Sequence, residues 1–445
     1  MVETETKILR YESYKDSGVE WLGDIPEHWE IKKLKFLGKI FAGINGKKGD
    51  DFSKEFKEGF KPFIPFTNIC NNLKISDEQY QYVNIDSSEN QNLVEFNDIL
   101  FLMSSETLED IAKCSIYLGQ NNELYLNSFC KGFRVIEKSV YPEYLNYLLS
   151  SNSYRSYFAL KGRGFTRINL KQEYINDALV TIPPLPEQTA IAQFLDDKTT
   201  KIDEAIAIKQ QQIALLKERK LVLIENAVTR GVNPNVNYKK SGVRWLDNIP
   251  EHWQVVRSKR LFVARKERAQ KGDLQLTASQ KFGVIPQKKY MELEGRKITQ
   301  VEFNYEILKR IRKGDFVISM RSFQGGIEYC DYDGCVSSAY VPLIPIKHIE
   351  TSYYKYLFKS RKYIKELSST SNLVRDGQAL RFDNFSQVDL LIIPLQEQRK
   401  IAEFLDKQCE KMETAISLKE QEISKLQEYK SSLINSVVTG KVRVF

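Results

Sequence analysis

The chain has 445 residues, 42% hydrophobic and 11% aromatic, enough for two to four packed domains at roughly 150 residues each. No apolar run reaches the roughly 18 residues of a bilayer span, and the charged N-terminus lacks the apolar core of a signal peptide. Six cysteines at irregular spacings with no CxxC pair argue against a disulfide framework or a zinc site, so a cytoplasmic protein is expected, and the formal net charge is +8.

In chain order, a polar leader comes first and contains SGVEWLGDIPEHW at residues 17–29. It returns as SGVRWLDNIPEHW at 241–253, with ten of thirteen positions identical. His28 and His252 occupy equivalent places; without a second ligand or an acid partner in sequence, each reads as a satisfied histidine in an aromatic-flanked turn. The first body then runs as short strand-like stretches broken by Gly, Asn and Asp: IKKLKFLGKIFAGING, FKPFIPFTNI, QYQYVNI, NDILFLMS, AKCSIYLG and KGFRVIE. Residues 144–157 have helical spacing. The second body repeats the order with GVIPQKK, RKITQVEF, KGDFVISMRS and YVPLIPI, and with a helix over 352–367. Each body closes on a polar glycine-containing loop and a strand.

After each body comes a long helix. Residues 187–231 and 397–441 are identical at 20 of 45 positions, and fixed-period self-similarity of this kind marks a duplicated unit. Proline and glutamate at each entry suit a helix start. Ile206, Ile213, Leu216, Leu223 and Ala227 line one face, as do Ile416, Ile423, Leu426, Leu433 and Val437; Lys209, Lys220, Lys419 and Lys430 interrupt the stripes. Such a stripe fits ordinary core packing. A helix of about 60 Å exceeds what a small domain can cover, which points instead to an antiparallel coiled coil between the two copies. The expected division is 1–182 and 233–392 for two α+β bodies, and 183–232 and 393–445 for the helices, with an internal pseudo-two-fold repeat.

Each long helix holds equal numbers of acidic and basic residues, so the whole excess of +8 lies on the rest of the chain. A neutral rod with basic bodies points to the bodies as the part that meets a polyanion. Nothing points to catalysis. There is no GxxxxGK[ST] loop, no nucleophile motif near His28, His252 or His348, no metal-ligand cluster, and no DPPY or NPPY tetrapeptide of an amino-methyltransferase. What the bodies do carry is loops mixing basic, amide and aromatic residues: Asn45, Lys47 and Lys48; Thr67 and Asn68; Lys161, Arg163, Thr166 and Arg167. In the second body they are Lys281; Arg321, Ser322 and Gln324; Ser338 and Tyr340; and Arg375, Gln378 and Arg381. Arginine can pair bidentately with guanine, and amides with adenine, while lysine holds phosphate. Solvated polar turns have the same composition. Two sets at equivalent positions favour sequence readout.

The paired leaders ending IPEHW, the segments IPPLPEQTAIAQFLD and IPLQEQRKIAEFLD, and the helix ends AVTRG and VVTGK resemble the specificity subunits of type I DNA restriction–modification systems. KGDFVISMRSFQGGIEYCDYDGCVSSAY and GQALRFDNF are similar to the family's target-recognition domains. The first body departs from the pattern, with Asn97 and Asp98 where the second has Gly314 and Asp315, and with no RSFQGG stretch. The resemblance implies a non-catalytic subunit whose two domains each read half of a split duplex DNA target. It implies helices that set the gap, docking of two modification (methyltransferase) subunits, and association with restriction subunits. S-adenosylmethionine, ATP and Mg would then belong to those partners, with no cofactor or metal in this chain. The rival readings are a coiled-coil interaction scaffold without DNA specificity, and an enzyme in its own right.

Overall fold

In the computed structural model, residues 9–86, 88–295, 297–298, 305–319, 321–370 and 380–444 are described. The chain forms two compact units, Met1–Ile208 with Gln421–Phe445, and Lys209–Glu420. Both divisions fall inside the long helices, Leu185–Arg230 and Leu395–Val438, and not at the helix starts. Each unit therefore contains the beginning of one long helix and the end of the other.

At the centre of the first unit is an antiparallel sheet of β1 (Gly38–Ala42), β2 (Ile99–Leu102), β3 (Cys114–Ile116) and β4 (Cys130–Val135), in the order β3-β2-β4-β1. The second unit repeats it with β5 (Phe262–Ala264), β6 (Phe316–Ile318), β7 (Glu328–Tyr329) and β8 (Val341–Pro345), in the order β7-β6-β8-β5. Chain order and strand order correspond one for one, so the duplication extends to the diverged bodies. The cores are built alike. In the first unit Phe133, Tyr144 and Leu148 pack with Ile191 and Leu195 of one long helix and with Ile434, Val437 and Val438 of the other. In the second, Phe316, Tyr354 and Leu357 pack with Ile401 and Leu405 and with Ile224, Ala227 and Val228.

Several sequence expectations shift. The helices expected over 144–157 and 352–367 are each two helices, Pro142–Ser150 with Asn152–Lys161, and Thr351–Leu357 with Arg361–Ser369. Ser151 and Ser360 adopt extended backbone at the breaks, which turns Tyr154 and Tyr363 into the cores. FKPFIPFTNI is half strand (Phe60–Ile64) and half helix (Phe66–Asn71), and GVIPQKK divides likewise into Gly283–Pro286 and Gln287–Glu294. RKITQVEF lies mostly outside the described residues.

The repeat markers meet in space. Strand Glu30–Lys33, directly after the first leader, pairs antiparallel with Leu179–Ile182, directly before the first long helix; Gln254–Arg257 pairs with Asp389–Ile392 in the same way. That pairing sets the leader against the helix entry. Glu187 Oε1 accepts bonds from Trp29 Nε1 at 2.9 Å and Tyr11 Oη at 2.5 Å, while Oε2 lies 2.8 Å from His28 Nε2. Glu397 Oε2 serves His252 at 2.8 Å and Trp253 at 3.2 Å. The neighbouring glutamine holds the body. Gln188 accepts from Tyr141 N at 2.8 Å and Gln398 from Glu350 N at 2.7 Å, each bond made at the residue preceding a body helix. The EQ dipeptide is thus a two-sided junction, which accounts for its survival in both copies. The acid partner of each histidine, invisible in the sequence, is this glutamate.

The long helices pair antiparallel within each unit. Lys430 Nζ bonds Asp203 at 2.6 Å in the first, and Lys220 bonds Glu413 and Lys419 bonds Gln212 in the second. As one residue number rises the other falls. Ile202, Ile206, Lys209, Ile213, Leu216, Lys220, Leu223 and Ala227 follow steps of four and three, as do Met412, Ile416, Lys419, Ile423, Leu426, Lys430, Leu433 and Val437. The lysines therefore occupy seam positions of a heptad, where they lie half-buried, and the heads of Lys220, Lys419 and Lys430 reach acceptors on the facing helix.

Candidate nucleic-acid interface

In the first unit the candidate loops gather where β1, β2 and strand Phe60–Ile64 end and β4 begins. After β1, Ile44 N bonds Leu126 O at 2.8 Å, and Asn127 N bonds Ile64 O at 3.1 Å. Gly43 lies so close to Asn127 that a Cβ would stand 2.1 Å from its carbonyl oxygen, so a side chain there would separate the two loops. Asn127 Oδ1 accepts from Phe129 N at 2.9 Å, and Phe129 O accepts from Met103 N at 2.9 Å. The hairpin at 163–169 joins through Ile168 paired with Ser105, and Arg167 lays its guanidinium 4.6 Å from the centre of the Phe129 ring.

On this surface Asn45, Lys48, Thr67, Arg163, Thr166 and Arg167 are exposed. Asn45 makes a two-way bond with the Gln91 amide through its backbone, leaving its side chain outward. Lys48 starts a short turn, its backbone N–H bonded to Asp51. Arg163 points back onto the Leu160 and Gly162 carbonyls, both at 2.8 Å, and braces the hairpin. Lys161 lies over the Tyr157 and Tyr174 rings. Two residues are placed differently. Lys47 is largely covered and paired with Glu89. Asn68 is fully buried, its amide donating to Ser76 O at 2.8 Å and its carbonyl accepting from Ser76 N at 3.1 Å. Lys47 is held by its ion pair, and Asn68 is used inside the fold, within the helix Phe66–Asn71.

In the second unit, Arg321, Gln324, Ser338 and Arg381 are exposed, and Tyr340 is half-buried. The short helix Ser322–Gly325 after β6 carries Gln324 and is held by Ser368 Oγ on Phe323 O at 2.5 Å and by Lys359 Nζ on Gly325 O at 2.9 Å. Gln280 reaches Arg321 O at 3.1 Å, bringing the loop with Lys281 alongside; Lys281 itself lies over Phe282 and 3.6 Å from Glu294. Arg381 caps the helix Phe382–Gln387, whose Asn384 bonds Thr370 O at 2.8 Å. Ser322 is fully buried and accepts from Ser319 N, so it shapes the loop. Arg375 and Gln378 lie outside the described residues.

At the opposite end of the second strand of each sheet, just before β2 and β6, an aspartate is held in an ion pair. Asp98 accepts bidentately from Arg134 at 2.9 and 2.8 Å, and Asp315 from Arg265 at 2.8 and 2.9 Å. Burial pushes the Asp98 carboxyl above the ordinary carboxylate range, against the pull of Arg134. The asparagine that replaces glycine before this aspartate does the same backbone work: Asn97 has φ 73 and Gly314 φ 92, and asparagine is the side chain that best tolerates this region. The equivalent aspartates take their arginines from different strands, β4 in one unit and the end of β5 in the other.

Residues 26–218 and 250–428 match the type I restriction modification DNA specificity domain family. The chain belongs to that family, and the two matched stretches are its DNA specificity domains. It is 25% identical over 432 residues to the protein assigned as the MjaX type I restriction enzyme specificity subunit of Methanocaldococcus jannaschii, covering 95% of this chain and 96% of that one. It is 24% identical over 433 residues to the MjaVIII specificity subunit of the same organism, covering 94% of each. Among solved structures, the fold is shared with a chain from a study of complex assembly and conformational transition in a type I R-M system (TM-score 0.68, 14% identity, 93% of this chain and 98% of that one). It is also shared with the HsdS subunit from Thermoanaerobacter tengcongensis (TM-score 0.51, 15% identity, 94% and 98%).

Proposed function

We propose that this chain gives a type I restriction–modification complex its DNA sequence, each unit reading one half of a split duplex target through the loops described above. The observation that carries this is the contrast between frame and loops: the leaders repeat at ten of thirteen positions, the EQ junctions are identical and the helices repeat at 20 of 45 positions, while the surfaces at the ends of β1–β4 and β5–β8 differ in residue and in length. A frame of fixed length with two different readers fits a target of two unlike halves at a fixed gap, since half-site spacing follows from protein geometry. In this reading the helices and leaders dock two modification subunits, restriction subunits join them, and all act in the cytoplasm. S-adenosylmethionine, ATP and Mg serve those partners, and this chain has no catalytic role.

The test is exchange of residues 255–388 for those of a homologue of different specificity. Methylome sequencing of the host should then show one half-site changed and the other intact. Change in both halves, or in neither, refutes the assignment of one unit per half-site.

A further inference from the structure

The hairpin at 163–169 holds an aromatic ring that packs against nothing. Phe165 is fully exposed, at 103% of its reference area, whereas the other large apolar side chains of this edge, Leu108, Phe129 and Leu160, are exposed at 51%, 43% and 75%. Leaving a phenyl ring in water forgoes the favourable free energy of its burial, and the hairpin shows no sign of being a slack loop. Arg163 and Asn169 exchange both backbone bonds, at 3.1 and 2.8 Å. Ile168 and Asn169 pair with Ser105 and Ser104. Gly164 has φ 145, and a Cβ there would stand 1.8 Å from Arg167 O, so the turn that projects the next residue can be made only with glycine.

The ring's neighbours decide what it meets. Arg163 and Arg167 flank it at two residues on either side, and the carboxylate recorded beside Arg167, Glu106, is at 4.0 Å. The ring itself has no hydrogen-bonding atom, so it cannot read a base edge; it can only offer a flat face. A rigid, exposed aromatic with an arginine two residues away on either side matches the apolar wedges that proteins insert into a base step. We infer that Phe165 inserts into or stacks upon one base step of the first half-site, so that the first unit reads deformability as well as base edges. This rests on the proposed function above.

The experiment uses the chain assembled with its modification subunits and a duplex carrying the target found by methylome sequencing, with 2-aminopurine placed in turn at each position of the first half-site. Because Phe165 supports no packing, Phe165→Ala leaves the fold and, by size exclusion, the assembly unchanged. Stacking by one aromatic makes the expected loss of DNA affinity about ten-fold. The wild type should brighten 2-aminopurine at a single step, Phe165→Ala should abolish that signal, and Phe165→Trp should restore affinity with its own emission quenched on DNA. Wild-type affinity and signal in Phe165→Ala overturn the wedge. So does a loss of subunit assembly, which would make the ring a protein contact. Should Arg167→Ala weaken binding while Phe165→Ala does not, the recognition reading stands and the wedge alone fails. Should the complex methylate no split target at all, it is the recognition reading that has failed.

Discussion

The two units are built on one frame, and comparing them separates what the frame needs from what each reader chooses. Both close a leader tryptophan onto the first turn of a long helix, both spend a glutamine on the entry of a body helix, and both keep a buried aspartate before the second strand of the sheet. Inside that frame the solutions differ. Glu187 serves three donors and Glu397 two. Lys74 bridges Glu143 and Asp196 between body and helix in the first unit. In the second, a cleft of about 790 Å³ opens beside Tyr356 and Asp406. Tyr356 still bonds Asp406 at 2.6 Å, as Tyr147 bonds Asp196 at 2.5 Å. Identity persists where elements distant in sequence must meet, and it relaxes where one body alone is concerned.

The sharpest difference lies in the ion pairs at the starts of β2 and β6. Arg265 and Asp315 are both almost fully covered, at 6% and 4% side-chain exposure, whereas Arg134 is 35% exposed above a fully buried Asp98. Removing one member of a dry pair strands the other charge. Arg265→Ala should therefore destabilise the second unit by about 3–5 kcal/mol, and Arg134→Ala should cost the first about 1–3 kcal/mol because water reaches its site. Hydrogen exchange followed separately in each unit of the full chain checks the order. Equal losses would show that burial is not what distinguishes the pairs.

Next comes the leader clasp. Glu187→Ala leaves the buried Trp29 and Tyr11 donors without their acceptor and should cost about 2–4 kcal/mol, while Glu397→Ala, which removes the acceptor of Trp253 at a carboxylate itself 20% exposed against 7% for Glu187, should cost about 1–2 kcal/mol. Each unit holds two of the four tryptophans, so single-tryptophan variants retaining Trp29 or Trp253 report each clasp during urea unfolding. A larger loss from Glu397→Ala would reverse the reading of the two sites.

The frame was legible in the sequence because it is periodic or repeated. Heptad steps, the EQ dipeptide and the twin leaders can be counted. The site was legible only as composition. That Asn68 and Ser322 turn inward, while Asn45 and Gln324 turn outward, depends on which loop each one braces, and no local pattern encodes it. Asp98 and Asp315 announce themselves as a pair, but their arginines arrive from different strands. Phe165 lay within a stretch already singled out for its charges. The signal that could have marked it was an aromatic between glycine and threonine with an arginine two residues away on either side, where no core face exists for it to join.

The smallest expected effect tests the frame itself. Lys220 and Lys430 occupy seam positions in different units, with similar cover, 26% and 21% exposed, and each bonds a mostly exposed acid on the facing helix. An exposed pair of this kind contributes at most about 1 kcal/mol, and a leucine at the same place would bury more apolar surface. Lysine at a seam position trades stability for register, because its head must find a particular acceptor. Lys220→Leu and Lys430→Leu should each stabilise by about 1 kcal/mol and agree with one another within about 0.5 kcal/mol. Two equal gains, read from urea midpoints at unchanged slope, would show that the helix pair of each unit is indifferent to the body beside it. A gain at one site and a loss at the other would mean that the bodies reach into the helices, and that frame and reader are not separable after all.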